Sequence, residues 1–267
     1  MLIREREVNV KTPTGDMRST LFVPKITTDD QNITFPGVIL YSEIYQVTGP
    51  VERLGRRLAG EGYVVLAPDV YHEYETGSMG YSDEAGERGN SLKTEKPLAS
   101  YDSDAVAAAA WLKDAPECNG RLGTFGVCLG GGLALRAALA VPKVRAAACF
   151  FATDIHNRGL GAPDPSVPHS IDSLDKLNGE ALMVWGNQDT HIPYDDLTTI
   201  RNAFRAANAN FQWLEFNAAH AFMRDNGGKG RYDPAISHLA WEAAFELFQR
   251  RLTFGLVDDG LTRIRAD

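Results

Sequence analysis

The 267-residue sequence has few cysteines, no long apolar run and no excess of positive charge. Its three cysteines, Cys118, Cys128 and Cys149, are odd in number and form no C-x-x-C pair, which fits reduced thiols rather than a disulfide framework or a zinc knuckle. No apolar run approaches about 18 residues, so we expect no membrane span. The N-terminal stretch MLIREREVNV has no apolar signal-peptide core, so we expect no signal peptide, and the reduced thiols fit a cytoplasmic protein.

The charge balance also excludes some partners. A formal net charge of -8 argues against nucleic acid or an anionic membrane as the main partner, although a local basic site stays open. Hydrophobic residues make up 44% and charged residues 23% of the chain, which is ordinary for a globular domain. There is no internal repeat and no Gly/Ser-rich linker, so residues 1–267 are interpreted as one domain.

Apolar runs alternate with helical spacing along most of the chain. Strands are predicted at 3–11, 17–23, 35–43, 63–69, 121–127, 144–152, 180–186 and 211–217. Helices are predicted at 49–62, 101–113, 129–140, 194–208 and 234–253. This rhythm is typical of an α/β fold, a mostly parallel sheet with helices on both faces. Residues 70–97 lack clear periodicity and are predicted to be a loop or a lid-like excursion, and residues 153–179 are irregular.

A cysteine stands where a strand should turn sharply into a helix. Cys128 lies in the sequence Gly126-Val127-Cys128-Leu129-Gly130, directly after the predicted strand RLGTFGV. The G-x-C-x-G spacing is that of a turn that presents a nucleophile, usually a serine. A small buried cysteine in a packing turn is an equally good reading of this motif by itself.

Two more reactive side chains follow the ends of later strands. Asp189 comes just after the strand EALMVWG, and His220 comes just after the strand FQWLEFN. Alone, the aspartate would be a solvated turn former and the histidine a structural residue. Together with Cys128 they give the order nucleophile, acid, histidine, which a hydrolase sheet of this topology requires, so we favour a catalytic triad.

Backbone amides beside the turn could bind an oxyanion. The amide of Leu129 follows the nucleophile, and that of Ile44 lies in the loop after the strand PGVILYS. Glu43, which precedes Ile44, is either part of the site or a surface carboxylate.

Five segments resemble the dienelactone hydrolase family of the α/β-hydrolase superfamily: PGVILYSEIYQV, VVLAPDVY, GVCLGGG, GNQDTHIP and HAFMR. The resemblance covers about residues 35–250. It implies an α/β-hydrolase fold with Cys128, Asp189 and His220 as the triad. It also implies that Glu43 holds the resting cysteine until substrate binds.

The resemblance further implies residues that contact substrate. Arg224, four residues after His220, matches an arginine that contacts the substrate carboxylate; a surface arginine is the alternative. The family's second substrate-binding arginine falls in the 72–97 region, where Arg88 is the only arginine but does not align securely. Tyr81 is either a pocket residue or part of a surface loop.

The expected function is hydrolysis of a small-molecule carboxylic ester or lactone, without a cofactor. No metal is expected, because His191 lies near Asp189 but no third ligand is visible. A thioesterase, a hydrolase of activated phosphoesters, and a non-catalytic or redox-sensing protein that uses Cys128 as a reactive thiol remain alternatives.

Overall fold

An eight-stranded sheet forms the centre of the protein. The computed structural model describes residues 1–25, 33–161, 164, 166–226 and 231–254. The strands are β1 (Ile3–Thr12), β2 (Gly15–Pro24), β3 (Phe35–Tyr41), β4 (Val64–Pro68), β5 (Cys118–Val127), β6 (Val144–Phe150), β7 (Glu180–Gly186) and β8 (Phe211–Phe216). They lie in the order β1-β2-β4-β3-β5-β6-β7-β8. The β1–β2 and β2–β4 pairs are antiparallel and the other pairs are parallel.

Helices cover both faces of this sheet. They are α1 (Gly49–Gly60), α2 (Asp83–Glu95), α3 (Leu98–Asp114), α4 (Leu129–Ala140), α5 (Tyr194–Ala206) and α6 (Pro234–Phe248). A 3-10 helix spans Ser170–Lys176, and a π-helical turn at Gln249–Thr253 extends α6. None of the described helices is long and apolar enough to cross a bilayer.

Alternation of side chains along the strands divides the core into two layers. In β3, Ile39 and Tyr41 belong to the layer that packs with α3, α4 and α5, whereas Val38 and Leu40 belong to the layer that packs with α1 and α6. Successive side chains of a strand point to opposite faces, so a continuous apolar run is what a strand buried on both faces requires. The predicted α/β-hydrolase fold, with a mostly parallel sheet between two helical layers, is confirmed.

The excursion at residues 70–97 contains a helix that the sequence analysis did not predict. Only three residues of α2 are buried, Ala85, Gly89 and Leu92, so its apolar stripe is too thin to stand out in the sequence. The cap was nevertheless visible: Ser82 Oγ accepts a hydrogen bond from the Ala85 amide, the arrangement that starts many helices.

A buried ion network fastens the excursion to α3. The ammonium of Lys96, which is fully buried, lies 2.6 Å from a carboxylate oxygen of Glu73 and 2.6 Å from one of Asp104. His72 Nε2 lies 3.1 Å from the same Asp104 oxygen. Buried charges of this kind must be paired, so both ends of the excursion have fixed positions relative to α3. The excursion is therefore an ordered part of the molecule on which site residues can be built.

Candidate active site

Cys128 sits on a strained turn between β5 and α4. Its backbone has φ 57° and ψ -124°, a left-handed conformation that is costly for a residue with a side chain. Three backbone hydrogen bonds hold it. The Cys128 amide donates to Phe150 O at 3.1 Å, and the Cys128 carbonyl accepts from the amides of Gly131 and Thr153 at 2.9 and 3.2 Å. The thiol is partly exposed at the carboxyl end of the strand, where ligands bind in such sheets.

The flanking glycines are needed because backbone segments touch at this turn. A Cβ atom on Gly126 would lie 1.9 Å from the carbonyl oxygen of Gly130. A Cβ on Gly130 would lie 2.2 Å from the carbonyl oxygen of Tyr41, at the end of β3. The G-x-C-x-G spacing thus has a steric cause, and it places the loop that follows β3 directly beside Cys128.

Asp189 and His220 meet beyond the ends of β7 and β8. Asp189 Oδ2 lies 2.7 Å from His220 Nδ1, and both side chains are buried. The other carboxylate oxygen accepts a hydrogen bond from the His191 amide at 2.8 Å, which fixes the carboxylate plane. A proton on Nδ1 satisfies Asp189 and leaves Nε2 for the thiol.

His220 also forms a hydrogen bond with Cys128, so the three side chains are one connected group. Burial by itself lowers the pKa of His220. The negative charge of a Cys128 thiolate and the hydrogen bond with Asp189 outweigh burial and raise that pKa to about 10. The arrangement therefore favours the protonated form of His220.

Glu43 lies in a second cluster against the same cavity. Its side chain is almost fully buried; Oε2 accepts a hydrogen bond from Tyr81 at 2.9 Å, and Oε1 lies 3.4 Å from Arg224 Nη1. The Arg224 guanidinium also stacks over the Tyr81 ring at 4.9 Å. Burial raises the pKa of Glu43, and the charge of Arg224 and the Tyr81 hydrogen bond partly oppose that rise.

A cavity of about 550 Å³ opens onto these groups. Cys128, His220, Glu43, Ile44, Tyr81 and Arg224 all line it. Sequence analysis missed two further cations in its wall, Lys93 and Arg231. Lys93 lies on α2, one turn from Asn90, which also lines the cavity; recognising the helix would have placed both side chains on one face.

The amides of Leu129 and Ile44, which the sequence analysis proposed as oxyanion donors, lie on either side of the contact between α4 and the loop after β3. Leu129 is the first residue of α4, where an amide has no acceptor within the helix. Ile44 lies two residues beyond Ser42, whose carbonyl oxygen packs against Gly130 in the turn after Cys128. In the described part of the chain, neither the Ile44 nor the Leu129 amide donates to a backbone acceptor.

Arg88, which the sequence analysis considered for substrate contact, is not among the side chains that line the described cavity. Its guanidinium is 43% exposed and pairs with Glu75 at 2.8 Å and with Glu95 at 3.8 Å. On α2 the side chain falls outside the face that carries Asn90 and Lys93. We therefore do not assign substrate contact to Arg88.

Ligand-capable side chains also cluster away from the cavity. His72, Glu73 and Asp104 each offer an atom within 4.8 Å of the others. The Lys96 ammonium already neutralises the two carboxylates at 2.6 Å, so this group is better explained as a structural ion network than as a metal centre.

A nucleophile turn, an acid–histidine pair beyond later strands and a sheet of this order define an α/β hydrolase. The family model described as the dienelactone hydrolase family matches residues 24–252, and the chain belongs to that family. A Saccharomyces cerevisiae protein named "Putative carboxymethylenebutenolidase" is 44% identical over 97% of both chains. The protein is accordingly a hydrolase homologous to carboxymethylenebutenolidases.

Further relatives agree with this family. The Rhodococcus opacus protein named "Carboxymethylenebutenolidase" is 28% identical over 82% of this chain and 82% of its own. The crystal structure of a "Putative Dienelactone Hydrolase" from Klebsiella pneumoniae superimposes with a TM-score of 0.80 at 26% identity, covering 94% of this chain and all of the other.

The Glu43 cluster generates a test. We expect Arg224→Met to raise the pKa of Glu43 further, because Arg224 is the largest influence that opposes burial. Carbon NMR of protein labelled at the glutamate carboxyl carbons measures that pKa, with Glu43→Gln assigning the signal. Arg88→Met, which removes an arginine paired elsewhere, is the control and should leave the pKa unchanged. A Glu43 pKa that falls or stays constant in Arg224→Met contradicts this electrostatic account.

Proposed function

We propose that the protein hydrolyses carboxylic esters, and lactones in particular, through a thioester formed on Cys128. The observation that carries this proposal is the connected group of Cys128, His220 and Asp189 at the mouth of the cavity. Free thiols have a pKa near 8.5, so only a few per cent of a thiol is thiolate at neutral pH without help. A histidine whose protonated form is stabilised beside the thiol supplies that help.

Attack and collapse proceed through one tetrahedral intermediate. The Cys128 sulfur bonds to the carbonyl carbon while the thiol proton resides on His220. The carbonyl oxygen becomes an oxyanion, which we place on the amides of Ile44 and Leu129. Removing one such donor costs on the order of 3 kcal/mol in known hydrolases. The bond to the leaving oxygen then breaks, and His220 returns the proton to that oxygen.

Water completes the reaction. His220 takes a proton from a water molecule, and the resulting hydroxide attacks the thioester carbon. The carbon–sulfur bond breaks, the acid leaves, and the thiol regains its proton from His220. For a lactone, the alcohol and the acid are two ends of one product molecule.

Arg224 is the proposed receptor for an anionic group of the substrate. It lines the cavity with Arg231 and Lys93, and the carboxylates of Glu43, Asp83 and Glu87 lie in the same wall, so the charge of the wall is mixed. Its Nε is buried with no hydrogen-bond acceptor in the described part of the protein, so the protein itself does not satisfy the whole guanidinium. The name of the relatives, carboxymethylenebutenolidase, denotes a lactone that bears a carboxyl group, and such a substrate fits the charge of Arg224.

Glu43 is the proposed partner of the resting enzyme. Its carboxyl shares Arg224 with the group that we expect the substrate to provide. A substrate carboxylate would therefore compete with Glu43 for the same cation. We infer that substrate binding changes the charge and contacts of Glu43 beside the thiol, and so links activation of Cys128 to the presence of an anionic ligand.

The other functions draw less support from the site. A redox-sensing thiol needs no oriented Asp189–His220 pair, yet that pair is buried and fully aligned. A related fold, a dienelactone hydrolase-like promiscuous phosphotriesterase, is 19% identical to this chain with a TM-score of 0.74, which shows the fold alone. No side chain of the described cavity specifically favours a phosphoester or a thioester.

We retain a cytoplasmic location as part of the proposal, consistent with three free cysteines.

Removal of the nucleophile is the first test. We expect Cys128→Ala to abolish turnover of a nitrophenyl ester, and Cys118→Ala, at the remote end of β5, to retain it. Iodoacetamide should label Cys128 first, because burial raises the pKa of the Cys118 and Cys149 thiols. Peptide mass spectrometry locates the adduct. Turnover by Cys128→Ala within tenfold of wild type would refute the assignment.

Arg224 is tested with a matched pair of esters, one bearing a carboxylate and one neutral. Arg224→Lys keeps the positive charge near Glu43 but loses the guanidinium fork. We expect kcat/KM for the anionic ester to fall about ten- to hundred-fold, since a hydrogen bond to a charged group contributes roughly 1.5–3 kcal/mol. The neutral ester should be hydrolysed almost as before. Equal losses on both esters would assign Arg224 a structural role, and no loss on either would remove it from the binding site.

A further inference from the structure

Residues 71–89 of the excursion form hydrogen bonds and packing contacts with the loop that carries the Ile44 amide. The excursion donates a backbone hydrogen bond from Met79 N to Tyr45 O at 3.0 Å. On α2, Gly89 lies so close to Ile44 that a Cβ there would be 2.4 Å from the Ile44 carbonyl oxygen. The chemistry of the triad does not require these contacts, but they fix the position of the loop that carries the Ile44 amide.

Gln46 makes the most complete of these attachments. Its Nε2 donates to the carbonyl oxygens of Gly77 at 2.8 Å and Glu75 at 3.3 Å, and its Oε1 accepts from the Tyr71 amide at 3.1 Å. The side chain is fully buried, so water cannot replace these partners in the folded protein. Its backbone has φ 60°, a left-handed conformation that glutamine adopts only when its surroundings impose it.

These contacts lie on both sides of Ile44 in the chain. Glu43, on one side of Ile44, is held by Tyr81 of the excursion, and Tyr45 and Gln46, on the other side, are held by Met79 and by the 71–77 segment. An oxyanion donor is effective only when it is fixed before the charge develops, and small displacements weaken it steeply. The loop after β3 has no regular secondary structure of its own to supply that rigidity.

We propose that Gln46 is a positioning residue, which pins the loop after β3 to the excursion and so holds the Ile44 amide in place as an oxyanion donor. The proposal rests on the proposed function, because it needs Ile44 to act on a tetrahedral intermediate at Cys128. Gln46 itself touches neither the thiol nor the cavity in the described structure. Gly89 assists by allowing α2 to pack directly against Ile44.

Two reactions of the same thiol separate positioning from general damage. Acylation of Cys128 by a nitrophenyl ester passes through an oxyanion, whereas alkylation by iodoacetamide does not. We expect Gln46→Ala to slow acylation, measured as the burst of nitrophenol, by roughly tenfold or more. Its second-order rate of alkylation should stay within about twofold of wild type. In steady state the loss should appear in kcat/KM, which reports acylation whichever step limits turnover.

A second variant and matched controls complete the experiment. Gly89→Ala should show the same selective loss, since its Cβ must displace the Ile44 carbonyl, and it answers the question if Gln46→Ala does not fold. Gln249→Ala removes an exposed glutamine, and Gly60→Ala adds a methyl group to α1 with no atom nearer than 4.0 Å. Both controls should keep both rates.

The outcomes distinguish this proposal from the proposed function. Equal slowing of acylation and alkylation, or unchanged acylation, in the folded variants would overturn the role of Gln46 while leaving Cys128 as the nucleophile. Mass spectrometry of the acylated wild-type protein tests the proposed function separately, because it locates the acyl group. An acyl group on a residue other than Cys128 would overturn the proposed function and this proposal with it.

Discussion

The left-handed backbone at Cys128 is the constraint on which the rest of the site depends. A backbone φ of 57° is unfavourable for a residue with a side chain. Hydrogen bonds from the Cys128 amide to Phe150, and from the amides of Gly131 and Thr153 to the Cys128 carbonyl, stabilise the turn. The sharp reversal lifts the thiol above the sheet and starts α4 with an amide beside it. It also forces close contact with the end of β3, since Gly130 packs against Tyr41 O. One strained residue therefore sets the position of the thiol, of the Leu129 amide and of the loop that carries Ile44.

Two polar clusters lie near the thiol. Cys128 and Asp189 stabilise the protonated form of His220, whereas burial disfavours the carboxylate of Glu43 and the charge of Arg224 partly offsets that effect. A substrate anion at Arg224 would alter that balance. In the proposed function, recognition of the substrate is thereby linked through charge to the reactivity of Cys128.

Much of this could be predicted from the sequence where the signal is local. Continuous apolar runs identified strands such as β7, because a strand buried on both faces leaves that trace, and the fold followed from their alternation with helices. Cys128, Asp189 and His220 were singled out because each follows a strand, and the structure brings these three side chains together. The thin apolar stripe of α2 hid the helix, so the sequence analysis did not place Lys93 at the cavity. No sequence pattern marks Gln46, because its hydrogen-bond partners are backbone atoms about 30 residues away in the chain.

The most direct test of the central claim is to observe the acyl-enzyme. A poor ester substrate should be mixed with enzyme, quenched in acid within milliseconds to seconds, and examined by intact and peptide mass spectrometry. The account predicts a transient gain equal to the acyl group, located on Cys128, labile to hydroxylamine, and decaying at the rate of turnover. An enzyme that turns over while Cys128 stays unmodified, or whose acyl group lies on another residue, would contradict it.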